Sequence, residues 1–133
     1  MYPGIGVGGY CLTKDPLLAS WARRNLFGSS SNLEQSEKGV AINDKMPLYA
    51  FQFLKKEYNS DLWGKRVLLL GVSYRSNVGD TRYSPVEYLY NYLEDEGASI
   101  AVHDPYVSYW EEKKINVPSS LDNYRKQNWD LII

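Results

Sequence analysis

The chain has 133 residues, in which 15 Lys and Arg nearly balance 16 Asp and Glu, and it carries one cysteine. This length forms one modest domain or pieces of two. The balanced charge, with no long apolar run and no secretory signal, predicts a cytoplasmic protein with no nucleic acid or membrane partner. One cysteine excludes an internal disulfide framework, and we expect no metal ion.

A glycine-rich segment comes first and runs into the only cysteine. It reads Pro3-Gly4-Ile5-Gly6-Val7-Gly8-Gly9-Tyr10-Cys11-Leu12-Thr13-Lys14-Asp15-Pro16. Glycine lets a backbone approach a ligand closely, and we predict that Asp15 caps a helix that begins at Pro16. Cys11 would then lie in a flexible loop before a helix N-terminus, near Lys14, where a thiolate is favoured. A small buried thiol is the open alternative.

Two helical segments are predicted next, over about 15–27 and about 33–58. Gly28 ends the first, and Pro47 is expected to kink or restart the second. Both have an apolar face, which from the residues alone predicts packing into a core. The apolar residues are Leu17, Leu18, Trp21, Ala22 and Leu26 in the first helix, and Ile42, Met46, Tyr49, Phe53 and Leu54 in the second.

The character of the chain changes after residues 59–65, which we predict to be a domain boundary. The apolar run at 66–72 is typical of a strand buried on both faces. Ser84-Pro85-Val86-Glu87 is a capping box with proline at the first helical position, and Gly97 closes the helix. A second strand over 99–104 completes a strand–helix–strand unit, which predicts a parallel sheet.

The last segment gives weaker signals. We predict short helices over 108–114 and 119–126, and a third buried strand over 129–133. Three parallel strands with an open edge are a poor complete fold, so we expect a piece of a larger protein. The predicted fold class is α/β, a helical segment followed by a partial Rossmann-like parallel sheet.

The loop after the first strand is a second candidate site, because ligands of open α/β sheets bind beyond the carboxyl ends of the strands. Tyr74 could stack on a base, and Arg75 and Arg82 could bind phosphate. Asp104, after the second strand, could hold a ribose hydroxyl or form a turn. A solvated charged loop is the open alternative.

Three motifs together resemble the UDP-glucose/GDP-mannose dehydrogenase family, the NAD-dependent nucleotide-sugar 6-dehydrogenases. The resemblance implies oxidation of a UDP-sugar, a UDP-N-acetylhexosamine or UDP-glucose, to its uronic acid for polysaccharide biosynthesis. The motifs are Gly-x-Gly-x-Gly-Gly-x-Cys-x-x-x-Asp at 4–15, Asn43-Asp44-x-Met46-Pro47, and Gly71-Val72-Ser73-Tyr74-Arg75-x-x-x-Gly79-Asp80-Thr81-Arg82-x-Ser84-Pro85.

The resemblance also implies roles for individual residues. Cys11 would be the nucleophile that holds the sugar carbon as a thiohemiacetal and then a thioester, and Asp15 would assist hydrolysis. Lys14 and Arg82 would bind the NAD cofactor. The residues that would bind the sugar nucleotide are Tyr2, Gly4, Ile5, Gly6, Val7, Gly8, Tyr74 and Arg75.

By the same resemblance, residues 1–60 would end a central domain whose helix around 43–53 forms a homodimer. Residues 61–133 would be a UDP-binding domain, incomplete here. An N-terminal NAD-binding domain is missing, so we expect no turnover by the chain alone. A non-catalytic nucleotide-binding module and a dimerisation unit without ligand are the alternatives.

Overall fold

The computed structural model describes residues 4–59 and 61–133. Two helices come first, and a parallel β-α-β unit with a small hairpin follows. Over the described residues, every helix is too short or too polar to cross a membrane. The elements in chain order are α1 (Tyr10–Asn25), α2 (Glu34–Glu57), β1 (Arg66–Leu70), α3 (Pro85–Asp95), β2 (Ser99–His103), β3 (Tyr109–Trp110), β4 (Ile115–Asn116), α4 (Asp122–Arg125) and β5 (Leu131–Ile132).

The main sheet is parallel and has the order β2-β1-β5. Val67 of β1 lies opposite Ile100 of β2 and Leu131 of β5. The central strand β1 buries Val67, Leu68 and Leu69, as expected for a strand that is covered on both faces. The structure therefore confirms the α/β fold class with a Rossmann-like parallel sheet.

Local signals fix both ends of α3. The Ser84 hydroxyl accepts a hydrogen bond from the Val86 N–H at 3.4 Å, and Pro85 is the first helical residue. Gly97, with φ of 77°, follows the last turn, and its N–H donates to the Glu94 carbonyl. These contacts confirm Ser84 as the cap and Gly97 as the stop, but the Ser84 N–H donates to the Thr81 carbonyl and not to Glu87 as in a capping box.

The core joins α2 to the sheet. Phe51 of α2 is buried together with Val67, Leu69, Leu89 and other residues of the β-α-β unit, and its ring stacks on that of Tyr92 in α3 at 5.4 Å. Residues on both sides of the predicted boundary at 59–65 thus share one hydrophobic core.

Several local predictions differ from the structure. The first helix begins at Tyr10, so Asp15 does not cap it and Pro16 lies inside it. Cys11 is therefore in the first turn of α1 and not in a loop ahead of it. Of the two alternatives at Pro47, a restart is excluded because Pro47 is buried inside an uninterrupted α2, and a kink stays a prediction. Tertiary packing overrides the local preference at both prolines.

A further error concerns residues 108–114, which are not a helix but contain β3 and the turn that joins it to β4 in an antiparallel pair. Trp110 is fully buried and lies edge-on to Tyr90 of α3 at 5.5 Å. The Lys113 ammonium donates to Asn91 and Glu94 of α3 at 2.8 and 2.9 Å. These contacts with α3 stabilise the hairpin, and the sequence of the segment alone does not reveal them.

The apolar faces of α1 and α2 are largely exposed in the single chain. In α2, Ile42 is 62% and Phe53 63% exposed, and in α1 Trp21 is 48% and Leu26 68% exposed. The buried residues of α2 are Val40, Pro47 and Phe51, and Leu48 and Leu54 are partly buried against the core. The interpretation of the 42–53 face as core of this chain is therefore wrong.

Candidate functional site

Asn43 of α2 holds the glycine-rich segment in place. Its Oδ1 accepts a hydrogen bond from the Val7 N–H at 2.7 Å, and its Nδ2 donates to the Val7 carbonyl at 2.8 Å. One side chain thus satisfies both backbone groups of Val7, as a neighbouring β-strand would. This pair of bonds fixes the segment that leads into α1 and Cys11.

The same segment packs against the loop that follows β1. The Gly9 N–H donates to the Arg82 carbonyl at 3.1 Å. A Cβ on Gly8 would lie 2.5 Å from both the Tyr74 Cβ and the Tyr83 carbonyl oxygen, and Gly9 has φ of 80° beside the Tyr74 ring. Side chains at these two positions would prevent the contact, so glycine is required there.

Cys11 is exposed in the first turn of α1. The turn is supported by the Thr13 hydroxyl, which donates to the Gly9 carbonyl at 2.6 Å. The unpaired N–H groups of a helix N-terminus favour negative charge on a nearby group. The structure thus presents the single thiol to solvent at a helix start, where it can react with an electrophile.

Lys14 and Asp15 pair with each other, with Nζ and Oδ1 2.8 Å apart, and both side chains are about half exposed. The hydrogen bond with Asp15, and then its charge, raise the pKa of the Lys14 ammonium. Both groups lie in the second turn of the helix that starts beside Cys11. Asp15 is therefore available as a carboxylate near the thiol but not as a helix cap.

Arg82 lies across the ring of Tyr10, with Cζ 4.7 Å from the ring centroid. Its Nε and Nη2 donate to the Asp80 carboxylate at 2.9 and 2.6 Å. This side-chain hydrogen bonding holds the pKa of the Asp80 carboxyl below its ordinary value. A cation is thus fixed beside the residue that precedes Cys11.

A cavity of about 400 Å³ opens at the carboxyl ends of β1 and β2. Arg75, Ser76 and Asn77 line it from the β1 loop, and Pro105 and Tyr106 line it from the β2 side. The exposed Arg75 supplies a positive charge at the place where open α/β sheets bind ligands. Tyr74 is absent from this lining and instead packs on the glycine segment.

Asp104 closes the floor of this cavity through four hydrogen bonds. Its carboxylate accepts from the N–H groups of Val72, Ser73 and Tyr106 and from the Ser73 hydroxyl, at 2.8 to 3.2 Å. Burial raises the pKa of this carboxyl, but the hydrogen bonds outweigh burial and hold the pKa below its ordinary value. Of the two interpretations of Asp104, turn formation accounts for these contacts.

The structure brings the two predicted sites together through the β1 loop. Ser73 and Arg75 line the cavity, whereas Tyr74 between them faces Gly8 and Gly9. Of the residues predicted to bind substrate, Tyr2 lies outside the described residues. Gly4, Ile5, Gly6, Val7 and Gly8 form the segment that Asn43 holds. Within the described residues, no three His, Cys, Asp or Glu side chains form a metal-binding group.

Comparisons with known proteins identify the family of this chain. Residues 68–133 match the sequence model described as the UDP-glucose/GDP-mannose dehydrogenase family, UDP binding domain. The chain belongs to the UDP-glucose/GDP-mannose dehydrogenase family. The residues that line the strand-end cavity, Arg75 among them, all lie within the matched residues 68–133.

Two curated relatives of this dehydrogenase family are UDP-N-acetyl-D-mannosamine dehydrogenases. The one from Methanococcus aeolicus is 32% identical over 91% of this chain and 26% of its own length. The one from Methanocaldococcus jannaschii is 38% identical over 78% of this chain and 22% of its own length. The chain thus spans about a quarter of the length of these relatives.

A solved structure in the family agrees with the fold. It is the NDP-N-acetyl-D-galactosaminuronic acid dehydrogenase from Methanosarcina mazei Go1, with a TM-score of 0.85 and 27% identity. The similarity covers 99% of this chain and 29% of that one. Both predicted segments, helical and α/β, are therefore present in one dehydrogenase of the family.

Sequence reasoning gave no role in the site to two residues that the structure places there, Asn43 and Tyr10. Asn43 stands only in the helix motif of the resemblance, and Tyr10 only within the glycine-rich segment. The spacing of Asn43 from Val7, 36 residues along the chain, gives no local sign of contact. The polar Asn43 within an amphipathic helix, next to Asp44, was the one available signal.

Proposed function

We propose that this chain is part of an NAD-dependent nucleotide-sugar 6-dehydrogenase. It would oxidise the C6 alcohol of a UDP-sugar to the uronic acid. One observation carries the proposal: the segment that holds Cys11 is bonded to the same β1 loop that lines the strand-end cavity, through the bond from the Gly9 N–H to the Arg82 carbonyl. A nucleotide bound at the strand ends and a sugar at the thiol can then belong to one ligand.

The nucleotide would bind in the cavity at the ends of β1 and β2. We assign residues 61–133 to the UDP-binding domain and residues 1–60 to the end of a central domain. The Arg75 guanidinium offers a planar set of donors that matches phosphate oxygens. The glycine segment from Gly4 to Gly8 would bring backbone N–H groups to the sugar. Tyr74 packs against Gly8 and would support the segment.

Cys11 would carry the chemistry. Its thiolate adds to the C6 aldehyde, and the oxygen takes up a proton to give a thiohemiacetal. Oxidation of this adduct leaves a thioester, and attack by water releases the uronate and regenerates the thiolate. Asp15, one turn along α1, would orient or deprotonate that water. The exposure of Cys11 leaves room for the sugar carbon.

NAD fits the charges on this chain. Its diphosphate is an anion, and Lys14 and Arg82 are exposed cations on the two sides of the contact between α1 and the β1 loop. NAD, when bound, would accept the hydrides that leave the C6 carbon. The chain's own contribution is to hold the anion and to keep the thiol at the sugar.

The family suggests the wider setting of the protein. Relatives that act on UDP-N-acetyl-D-mannosamine favour a UDP-N-acetylhexosamine over UDP-glucose as the substrate. We propose a homodimer formed through the exposed α2 face around 43–53, a cytoplasmic location, and use of the uronate in a surface polysaccharide.

The nucleotide site can be tested by titrating UDP into the chain in a calorimeter. Arg75→Ala should weaken UDP binding about tenfold or more, because a charge-assisted contact to phosphate is lost. Arg125→Ala, which removes an exposed arginine from α4, should leave the affinity unchanged. Equal affinities for the parent chain and Arg75→Ala would contradict the assignment of the cavity.

The chemical assignment requires the longer enzyme, in which Cys11→Ser should stop acid formation. A hydroxyl at this position is a far weaker nucleophile than a thiolate. Product analysis by mass spectrometry should find no uronate above background, and Cys11→Ser should still bind UDP-sugar. Normal uronate release by Cys11→Ser would show that another group is the nucleophile and would favour a purely nucleotide-binding role for this chain.

A further inference from the structure

Arg82 is held more firmly than an exposed arginine on a loop usually is. Two of its nitrogens donate to the Asp80 carboxylate, and its Cζ lies over the Tyr10 ring, 4.7 Å from the centroid. Its own N–H also donates to Asp80, at 3.1 Å, and its carbonyl accepts from Gly9. The side chain and the backbone of Arg82 are therefore both held in place, and Tyr10 is the residue of α1 that contacts the side chain.

The fixed guanidinium still has donors to offer. Asp80 occupies the edge formed by Nε and Nη2, so the N–H groups of Nη1 point away from this carboxylate. The Arg82 side chain is 58% exposed. A planar donor group of this kind matches the oxygens of a phosphate. Arg82 can therefore bind an anion without breaking its contacts to Asp80 or Tyr10.

These contacts are a poor source of stability. Tyr10 is 41% exposed and Tyr83, whose ring meets it edge-on at 5.1 Å, is 46% exposed. Exposed ion pairs and exposed cation–π contacts add little to the free energy of unfolding. Tyr83 also has φ of 54°, a conformation that is uncommon for a bulky residue. The cluster orients Arg82 more than it stabilises the fold.

We propose that Tyr10 is a positioning residue, which holds the Arg82 guanidinium for a diphosphate next to the helix start that carries Cys11. The ligand class is a diphosphate ester, either the dinucleotide cofactor or the nucleotide sugar. The inference rests on the proposed function, in which Arg82 binds an anion, and adds that the aromatic ring of Tyr10 sets its affinity.

The test is a calorimetric titration of the chain with NAD, UDP and inorganic pyrophosphate. Arg82→Ala should weaken binding of its ligand about tenfold to a hundredfold. Tyr10→Leu, which keeps the bulk but removes the ring, should weaken the same ligand about three- to tenfold. Tyr10→Phe, which keeps the ring, should bind like the parent chain. The probe that shows these losses identifies the diphosphate.

A double-mutant cycle separates positioning from a general structural effect. In the Arg82→Ala background, Tyr10→Leu should cause no further loss, because the residue it positions is absent. Asp80→Asn removes the charge and one of the two acceptor oxygens that hold the guanidinium, and it should weaken binding as Tyr10→Leu does, even if Tyr10→Leu fails to fold. Tyr109→Leu removes a ring that is equally exposed, at 41%, on β3 and should have no effect.

The outcomes distinguish the two levels of the proposal. Equal affinity of Arg82→Ala and the parent chain for all three probes would overturn the role of Arg82 in the proposed function, and the inference with it. A loss with Arg82→Ala but none with Tyr10→Leu or Asp80→Asn would overturn the positioning role alone. Additive losses in the double variant would also overturn it.

Discussion

Four hydrogen bonds converge on the buried carboxylate of Asp104, and they join the ends of β1 and β2. Val72 and Ser73 follow β1, and Tyr106 follows β2. Val72 is fully buried and Asp104 is only 3% exposed, so the Val72 N–H would lack a partner without this carboxylate. At the scale of the residue, one ionised side chain therefore shapes the floor of the candidate nucleotide site.

We expect Asp104→Asn to lower the free energy of unfolding by about 1–3 kcal/mol at neutral pH, because an amide replaces a charged acceptor. The folded pKa of Asp104 lies below its ordinary value. Its contribution to stability is therefore complete above the unfolded pKa of about 3.9 and is lost as the pH falls through the folded pKa. The difference between the two proteins should shrink below about pH 4.

Urea unfolding at a series of pH values measures this difference. Asp122→Asn, an exposed carboxylate on α4 that accepts from the Ser120 hydroxyl, is the control and should change stability little. A gap between Asp104→Asn and the parent chain that stays constant from about pH 7 to about pH 3 would mean that charge on Asp104 is unimportant.

Asn43 shows what residue types alone leave open. An asparagine inside a helix is unremarkable on the surface, and its two bonds to Val7 exist only because the glycine segment returns to α2. The residue therefore gained its role from the fold. The sequence signalled Cys11 and Arg75 more directly, because both lie in motifs that resemble those of the dehydrogenase family, although the residue types alone left a buried thiol and a solvated loop open.

At the scale of the element, the start of α1 depends on the glycines before it. Gly9 is the N-cap of α1 and has a positive φ of 80°. Gly8 lies against Tyr74 and the Tyr83 carbonyl. Local rules placed the helix start at Asp15-Pro16, six residues too late, because they weigh side-chain caps above tertiary contacts. Because the segment packs against the β1 loop, the helix begins before Cys11 and includes it.

We expect Gly8→Ala to destabilise the chain by about 1–3 kcal/mol, because a methyl group cannot fit against Tyr74 without moving the backbone. Gly39→Ala is the matched control. Gly39 lies inside α2 with open space around its missing Cβ, so alanine there should stabilise by about 0.5–1 kcal/mol. Thermal and urea unfolding measure both changes.

Opposite signs for the two alanine variants would support the contact between the glycine segment and the β1 loop. The same sign or no change for Gly8→Ala would mean that the segment can leave the loop at little cost. Weakened UDP binding by Gly8→Ala, with none by Gly39→Ala, would connect the contact to the proposed site.

At the scale of the whole molecule, α2 has one face that is buried within the chain and one that is exposed. Val40, Pro47 and Phe51 are buried within the chain, whereas Ile42, Tyr49 and Phe53 are each at least 60% exposed. Exposed apolar side chains along one face of a long helix are typical of an interaction surface. This face supports the proposed homodimer.

We expect the double variant Met46→Glu, Phe53→Glu to sediment as a single chain, whereas the parent chain sediments as two. The two new glutamate carboxylates would have to be buried in an apolar interface without a cation or a hydrogen-bond donor beside them. Gln52→Glu, a charge added at an exposed polar position of α2, should leave the dimer intact. A parent chain that is monomeric at all concentrations, or a double variant that stays dimeric, would remove this interface from consideration.

The sequence alone determined the α/β fold class and the β1-α3-β2 unit, because these depend on local patterns, and its three motifs carried the resemblance to the family. A continuous apolar run, a serine cap before proline and a closing glycine each act within a few residues. Tertiary structure decided where α1 begins, that residues 109–116 form a hairpin and which face of α2 is buried. It also brought Tyr10 to Arg82 and Asn43 to Val7, since packing between segments far apart in the chain outweighs local preference.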